Sequence, residues 1–340
     1  MLSPERFSRA LALWLAVGIL APAATAGEVA ILYDGTPGVA ETLVDQGFQN
    51  LSSDLFNQTG FYSADAPMGV TVFGSGPENA QVASFFTHGL LTGNPLHPGV
   101  QELDRSIGYR VVFELAIVSE SHDESADRNG DGRSDSAGFS IAVISSDLLG
   151  IGISFWSDRI WINEDGASGP DDLLTQAEGI AQPSEAMASL RRYELEVMRG
   201  AYRLRVGGVT LLTGRLRDYR DFEGVETPFG ILNNFDKANS ISLGDATDSA
   251  RSRVLIGDIS SETPHSPLPD ARFALAVRPE GDAALRWGAV PGVVYSLRSS
   301  DGLEGFTEFE DIVADAFVME FTDRRPIARR RFYKILPIEG

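Results

Sequence analysis

Nine residues, Asp127-Arg128-Asn129-Gly130-Asp131-Gly132-Arg133-Ser134-Asp135, place oxygen-bearing side chains at loop positions 1, 3, 5 and 9 and a glycine at position 6. Carboxylates and amides on alternate residues of a tight turn can all point inward, and a hard cation takes several such oxygens. The spacing therefore predicts a structural calcium loop in which Asp127, Asn129, Asp131 and Asp135 supply side chains and Arg133 its carbonyl. Position 12 is Gly138, not the bidentate glutamate of an EF-hand, so the missing oxygens must come from elsewhere, with Asp123, Glu124 or Asp165 as donors. Calcium is the one cofactor expected.

A second group is aromatic. Trp156-Ser157-Asp158-Arg159 reads as a tight hairpin. If Trp156 opposes Arg159, then Ser154 opposes Trp161 and these four share a face, while Ile153, Phe155, Ile160 and Ile162 line the core side. Trp156, Arg159 and Trp161 then form a platform for a sugar ring or another planar ligand if that face is open, and plain packing if a loop covers it. A third group is the pair Glu194 and Glu196 in Tyr193-Glu194-Leu195-Glu196-Val197-Met198. Two residues apart on a strand, they share a side at a separation of roughly 7 Å, which suits an acid and a base across a glycosidic bond. The same alternation is also that of a strand with one wet face. There is no cysteine and no G-x-S-x-G elbow, and the four histidines, His88, His97, His122 and His265, lack metal-ligand spacing. No catalytic residue is assigned.

These residues sit among short strands. Tyr109–Val118, Gly138–Ile144, Gly150–Trp156, Arg159–Asn163, Tyr193–Met198, Ala201–Val206, Val209–Thr213, Ser240–Leu243 and Arg253–Ile259 are apolar or alternating runs broken by Gly, Asp and Asn. Such punctuation predicts a β-sandwich. Short helical pieces are expected around Asp171–Ala177 and Pro183–Leu190. Phe273–Val277, Ala284–Trp287, Val293–Arg298, Phe317–Phe321 and Arg331–Ile335 predict a second, smaller sandwich.

Composition sets the compartment and the division of the chain. Arg6 and Arg9, the apolar run Ala10–Ala21 and Ala24-Thr25-Ala26 read as a signal peptide over residues 1–26. The chain is then exported, to the periplasm, the cell surface or the medium, with no membrane insertion after cleavage. The formal charge of −20 argues against nucleic acid and anionic lipid as partners. Residues 27–263 hold 16 basic and 35 acidic residues, whereas 264–340 hold 10 and 12. The change falls at Pro264-His265-Ser266-Pro267-Leu268-Pro269, a stiff extended linker. The expected division is a sandwich over 27–262, a linker over 263–270 and a small sandwich over 271–340.

Ala137–Asp165, Leu211–Tyr219 and Ser242–Ser260 together resemble an exported bacterial module of the choice-of-anchor Y type, which is similar to concanavalin A-like and laminin G-like jelly rolls. Leu285–Leu303 and Arg330–Ile335 resemble fibronectin type III-like modules. The resemblance implies an all-β fold, a concanavalin A-like jelly roll followed by a fibronectin type III-like sandwich, and brings no defined activity. The resulting expectation is a non-catalytic, calcium-stabilised surface or secreted protein that contacts a glycan or another extracellular macromolecule. The alternatives are a polysaccharide-degrading jelly roll using Glu194 and Glu196, and a structural spacer.

Overall fold

A computed structural model of the chain describes residues 27–50, 61–75, 84–87, 100–227, 230–245, 247, 249–269, 273–277, 282–302, 304–325 and 331–338. The expected signal peptide, His88 and His97 lie outside the described residues. The first strands are β1 (Glu28–Tyr33), β2 (Gln49–Asn50), β3 (Phe61–Asp65), β4 (Val70–Gly74), β5 (Ser84–Thr87) and β6 (Tyr109–His122). Next come β7 (Ser140–Ile144), β8 (Gly150–Phe155), β9 (Arg159–Asn163), β10 (Gln176–Ala181), β11 (Arg191–Met198) and β12 (Ala201–Val206). β13 (Val209–Arg215), the small hairpin β14 (Val225–Thr227) and β15 (Gly230–Leu232), β16 (Ser240–Asp245) and β17 (Ala250–Thr263) complete the larger unit.

Its strands form two antiparallel sheets. The first runs β13-β12-β11-β6-β17-β4-β3, with β1 added along the end of β17, and the second runs β10-β9-β8-β7-β16-β5-β2. β6 pairs with the distant β11 and β17, and β16 with β7 and β5, so long connections cross between the sheets as in a jelly roll. Alternation decides what lies between them. Tyr109, Val111, Phe113, Leu115 and Ile117 of β6 point inward with Tyr193, Leu195 and Val197 of β11, and they meet Ile141, Val143, Ile153, Phe155, Ile160 and Ile162 from the second sheet. Phe113 stacks on Tyr193 at 5.2 Å between centroids, and Phe155 meets Tyr193 edge-on. Such ring pairs add about 0.5–1.5 kcal/mol each to the area they bury.

β7, β8 and β9 are buried on both faces, which is why they read as nearly continuous apolar runs. Their outer face is covered at one end by Tyr219 and Phe235, which pack on Ala142 and Ile144. At the other end the acidic loop bonds to Trp156 and to Gln176 of β10. Gly152 has no room for a side chain, because a Cβ there meets the Asn163 amide at 2.8 Å, and its N–H donates to the Tyr219 hydroxyl at 3.0 Å.

Two local expectations change. Around Asp171–Ala177 there is only a 3₁₀ turn at Pro170–Asp172, and β10 begins at Gln176 because the edge of β9 pairs with it. The expected helix at Pro183–Leu190 shrinks to Ser184–Met187. The linker does not stand free. His265 N–H donates to Gly108 O at 2.8 Å, and Arg203 donates to Leu268 O at 2.8 Å, so residues 265–268 lie along the outer face of the first sheet.

The remaining strands are β18 (Phe273–Val277), β19 (Ala283–Gly288), β20 (Val294–Ser300), β21 (Thr307–Val313), β22 (Val318–Asp323) and β23 (Phe332–Ile338). They form two three-stranded sheets, β18-β19-β22 and β21-β20-β23, around their own core of Leu285, Trp287, Tyr295 and Leu297. Among the described residues no helix is long and apolar enough to cross a membrane.

Candidate functional site

The most unusual grouping of reactive side chains lies at the end of β6. β6 and β17 pair as Leu115↔Ile256, Ala116↔Leu255 and Ile117↔Val254, then slip, so that Ser119 opposes Arg253 and Val118 is left over. A bulge of this kind reverses the alternation of faces and re-aims the side chains beyond it. Glu120 and His122 therefore turn toward the β8–β9 hairpin of the second sheet. The His122 ring stacks on Trp156 at 4.0 Å and 3° between planes. Its Nδ1 donates to Glu120 Oε1 at 2.7 Å.

The electrostatics of this pair are specific. Burial pushes the Glu120 carboxyl above its usual range, and the bond from His122 works against that shift. An ionised carboxylate only accepts hydrogen bonds, so Nδ1 is the donor in this pair. The His122 side chain is 14% exposed, and its Nε2 lies 3.5 Å from the exposed Glu124 carboxylate. Trp156 is held in turn by donating Nε1–H to Ser136 O at 2.6 Å. A base oriented by a buried acid is the arrangement that activates a nucleophile or water.

The hairpin register is as expected: Ser154 opposes Trp161, and Trp156 N–H donates to Arg159 O. Trp156 and Trp161 meet edge-on at 4.6 Å. The open platform of Trp156, Arg159 and Trp161 is nevertheless corrected. Trp161 is 0% exposed and offers no face to a ligand. Trp156 packs edge-on against it, and the end of the acidic loop is tied to the neighbouring β10 through Gln176 Nε2 to Ser134 O (2.6 Å) and Gln176 N to Asp135 Oδ1 (3.1 Å). Trp156 and Arg159 remain partly exposed.

The loop itself closes on backbone donors. Asp127 accepts N–H groups from Gly130, Asp131 and Gly132, Asn129 accepts from Asp131, and Asp131 accepts from Arg133. Gly130 and Gly132 take φ of 75° and 85°, where a side chain would be strained. Burial and the neighbouring Asp131 and Asp127 hold Asp135 above the usual carboxylate range, although two amides donate to it. Among the described residues no group of three or more His, Asp or Glu side chains is gathered closely enough to hold a metal ion. Asp165 is engaged elsewhere, by Ala167 and Asp218 N–H groups.

Glu194 and Glu196 do share the outer face of the first sheet, but not as an acid–base pair facing substrate. Glu196 is 2% exposed and accepts from Arg203 Nε at 2.6 Å and His265 Nε2 at 3.1 Å. Glu194 lies between Arg110 (3.6 Å) and Arg192 (3.8 Å). The linker closes over this region through His265 and the Leu268 carbonyl, and Phe317 of the tail adds to the cover, its ring 4.6 Å from the Arg203 guanidinium. Sequence reasoning passed over Glu120 and His122 because they match no metal spacing. Their i, i+2 spacing on a strand was the available signal, and it gains meaning only once the bulge turns them toward Trp156.

No protein-family model matches the chain, and no curated protein matches it. Solved structures do resemble it. A conserved carbohydrate esterase, vb_24B_21, from the Shiga toxin-encoding bacteriophage phi24B is 12% identical, with 69% of this chain and 99% of that chain covered and a TM-score of 0.43. The Bacillus licheniformis β-glucanase is 9% identical over 70% and 98%, with a TM-score of 0.35. Alginate lyase A1-II′, of polysaccharide lyase family 7, is 10% identical over 69% and 93%, with a TM-score of 0.36. The chain shares a jelly-roll sandwich with these proteins, while the choice-of-anchor Y and fibronectin type III resemblances find no matching model. The expectation of a non-catalytic protein is corrected here: these three neighbours are carbohydrate-active enzymes, so the fold gives no ground for excluding catalysis. Likeness at this level assigns no activity either.

Proposed function

We propose that the protein is an exported, carbohydrate-active hydrolase whose working base is His122, oriented by Glu120 and walled by Trp156, and that it cleaves an ester on a polysaccharide. The observation that carries this reading is the buried carboxylate bonded to Nδ1 of a partly exposed imidazole stacked on an indole. In the step envisaged, His122 Nε2 takes a proton from water as the water oxygen attacks the ester carbonyl. The tetrahedral intermediate then expels the sugar alkoxide, which receives that proton from the imidazolium. The products are a carboxylic acid and a sugar hydroxyl. Glu120 stabilises the imidazolium and fixes its tautomer.

The test is release of acetate from acetylated xylan by residues 27–340. His122→Asn is expected to lower the rate at least about 100-fold, the usual contribution of a positioned base. Glu120→Gln should lower kcat more than it raises KM. No acetate release by the unaltered protein, or full activity in His122→Asn, ends the reading.

Calcium belongs to the proposal only as a stabiliser of the 127–135 loop. Support comes from the ligand spacing and from the poorly compensated negative charge around Asp135. Because the loop oxygens now face their own amides, a cation must draw them inward. An ion bound only to the folded form stabilises it by mass action, so millimolar calcium is expected to raise Tm by several degrees over chelator, with no such rise in Asp131→Ala. Superimposable melting curves remove the metal. The fibronectin type III-like reading of the tail is supported by its two three-stranded sheets, which leave it a role as spacer or adhesive unit.

A further inference from the structure

The C-terminal sandwich leaves part of its core face uncovered. Phe273 of β18 pairs with Trp287 of β19, and Leu275 with Leu285, so these four side chains share one face of the sheet. Leu285 and Trp287 are buried in the core, whereas Phe273 is 49% and Leu275 46% exposed. Ala274 and Ala276, on the other face of the strand, are exposed as well. β18 ends its sheet, and among the described residues it pairs with β19 alone.

A free strand edge is a template for another strand, and folded proteins blunt it with charge or proline. The other end strands of the tail are blunted in this way: β21 carries Glu308, Glu310 and Asp311, β22 carries Glu320, and β23 carries Lys334 and Pro337. β18, Phe-Ala-Leu-Ala-Val, carries neither. β1 of the jelly roll also exposes Val29 and Ile31, but it belongs to the unit of net charge −19, whereas residues 264–340 carry −2. Two copies therefore repel through their jelly rolls and can approach through their tails. The strand that fits this edge is extended, uncharged and apolar, and a second β18 answers that description. Antiparallel pairing of two identical strands about a two-fold axis is self-complementary and closes after two copies. Because side chains alternate along a strand, it sets Phe273 and Leu275 of both copies on one face, where each covers part of what the other leaves open.

We infer that β18 is a self-association edge, through which two copies of the chain join their β18-β19-β22 sheets into one six-stranded sheet. One pair of five-residue strands falls below the about 1,200 Å² of a standard interface, so the dimer is weak, with a Kd of about 10–100 μM. The experiment is sedimentation velocity of residues 27–340 at concentrations spanning that Kd, in low and in high salt. Wild type is expected to shift toward dimer as concentration rises, and further in high salt, because salt screens the repulsion between the acidic jelly rolls. Ala274→Lys and Leu275→Lys each bring like charges together across the two-fold axis and should weaken association at least about tenfold. Ala274 is exposed and lies outside the tail's core, so Ala274→Lys should keep the wild-type Tm, which separates loss of the edge from loss of the fold. A wild type that sediments as monomer throughout overturns the inference, as does a dimer that both lysine variants leave intact. A dimer lost in Ile31→Lys but kept in Ala274→Lys places the contact on β1 and overturns it too. None of these readouts involves turnover, so they stand or fall apart from the hydrolase reading.

Discussion

Asp323→Ala is expected to destabilise the C-terminal sandwich severely while the jelly roll keeps its stability. Asp323 is 2% exposed and accepts from Arg325 (N, Nε and Nη2), Arg331 Nη1 and the Tyr333 hydroxyl. Burial alone raises its pKa, yet the bonds from Arg325, Tyr333 and Arg331 outweigh it and hold the carboxyl well below the usual range. Removing one member of such a buried network costs about 3–5 kcal/mol. A sandwich of about 70 residues holds only about 4–10 kcal/mol in total, so a large share of it is lost. The depressed pKa sets the sign with pH. The carboxylate's contribution is complete above the ordinary aspartate value and drains away as pH falls through the folded-state value. The wild-type tail should therefore lose stability below about pH 4, and Asp323→Asn should be flatter across that interval. Two calorimetric transitions in wild type, the smaller shifted far down in temperature or missing in Asp323→Ala, are the expected record; a variant that keeps both at their wild-type temperatures removes the network from the account.

Arg203→Ala has the second large effect, on the jelly roll and on the seating of the linker. Arg203 is fully buried on the outer face of the first sheet, bonded to Glu196, donating to Leu268 O and stacked under Phe317. Burial by itself raises the Glu196 carboxyl; bonds from His265 and Arg203 reverse that and hold it below its ordinary value. Deleting the arginine leaves an anion out of water, at a cost of about 3–5 kcal/mol. The double variant Glu196→Gln/Arg203→Met is expected to be milder than Arg203→Ala, since it removes the stranded charge with its partner. Limited proteolysis reads the second consequence: cleavage between residues 264 and 269 should accelerate in Arg203→Ala. Unaltered cleavage and an unaltered denaturation midpoint contradict this role.

In so acidic a chain, basic residues near the C-terminus are expected to serve the protein's own carboxylates, and Arg325 and Arg331 do so at Asp323. Arg329 and Arg330 lie outside the described residues. The strands from β6 to β9, and β11 to β13, were legible because apolar residues recur every second position or run unbroken between glycines. β1 to β5 and β10 were not, because short strands such as Gln49–Asn50 and Gln176–Ala181 owe their conformation to a neighbour's free edge and carry little pattern of their own.

Periodicity by itself determined the sandwich, the shared face of Trp156, Arg159 and Trp161, and the shared face of Glu194 and Glu196, because side-chain direction along a strand is a local property with period two. The cover over each face was decided only in three dimensions. The acidic loop is tied back to Trp156 and Gln176, the linker closes over Glu196, and one surplus residue at Val118 turns Glu120 and His122 toward an indole more than thirty positions away in the chain. Burial and partnership depend on contacts between segments remote in sequence, and no local pattern records them.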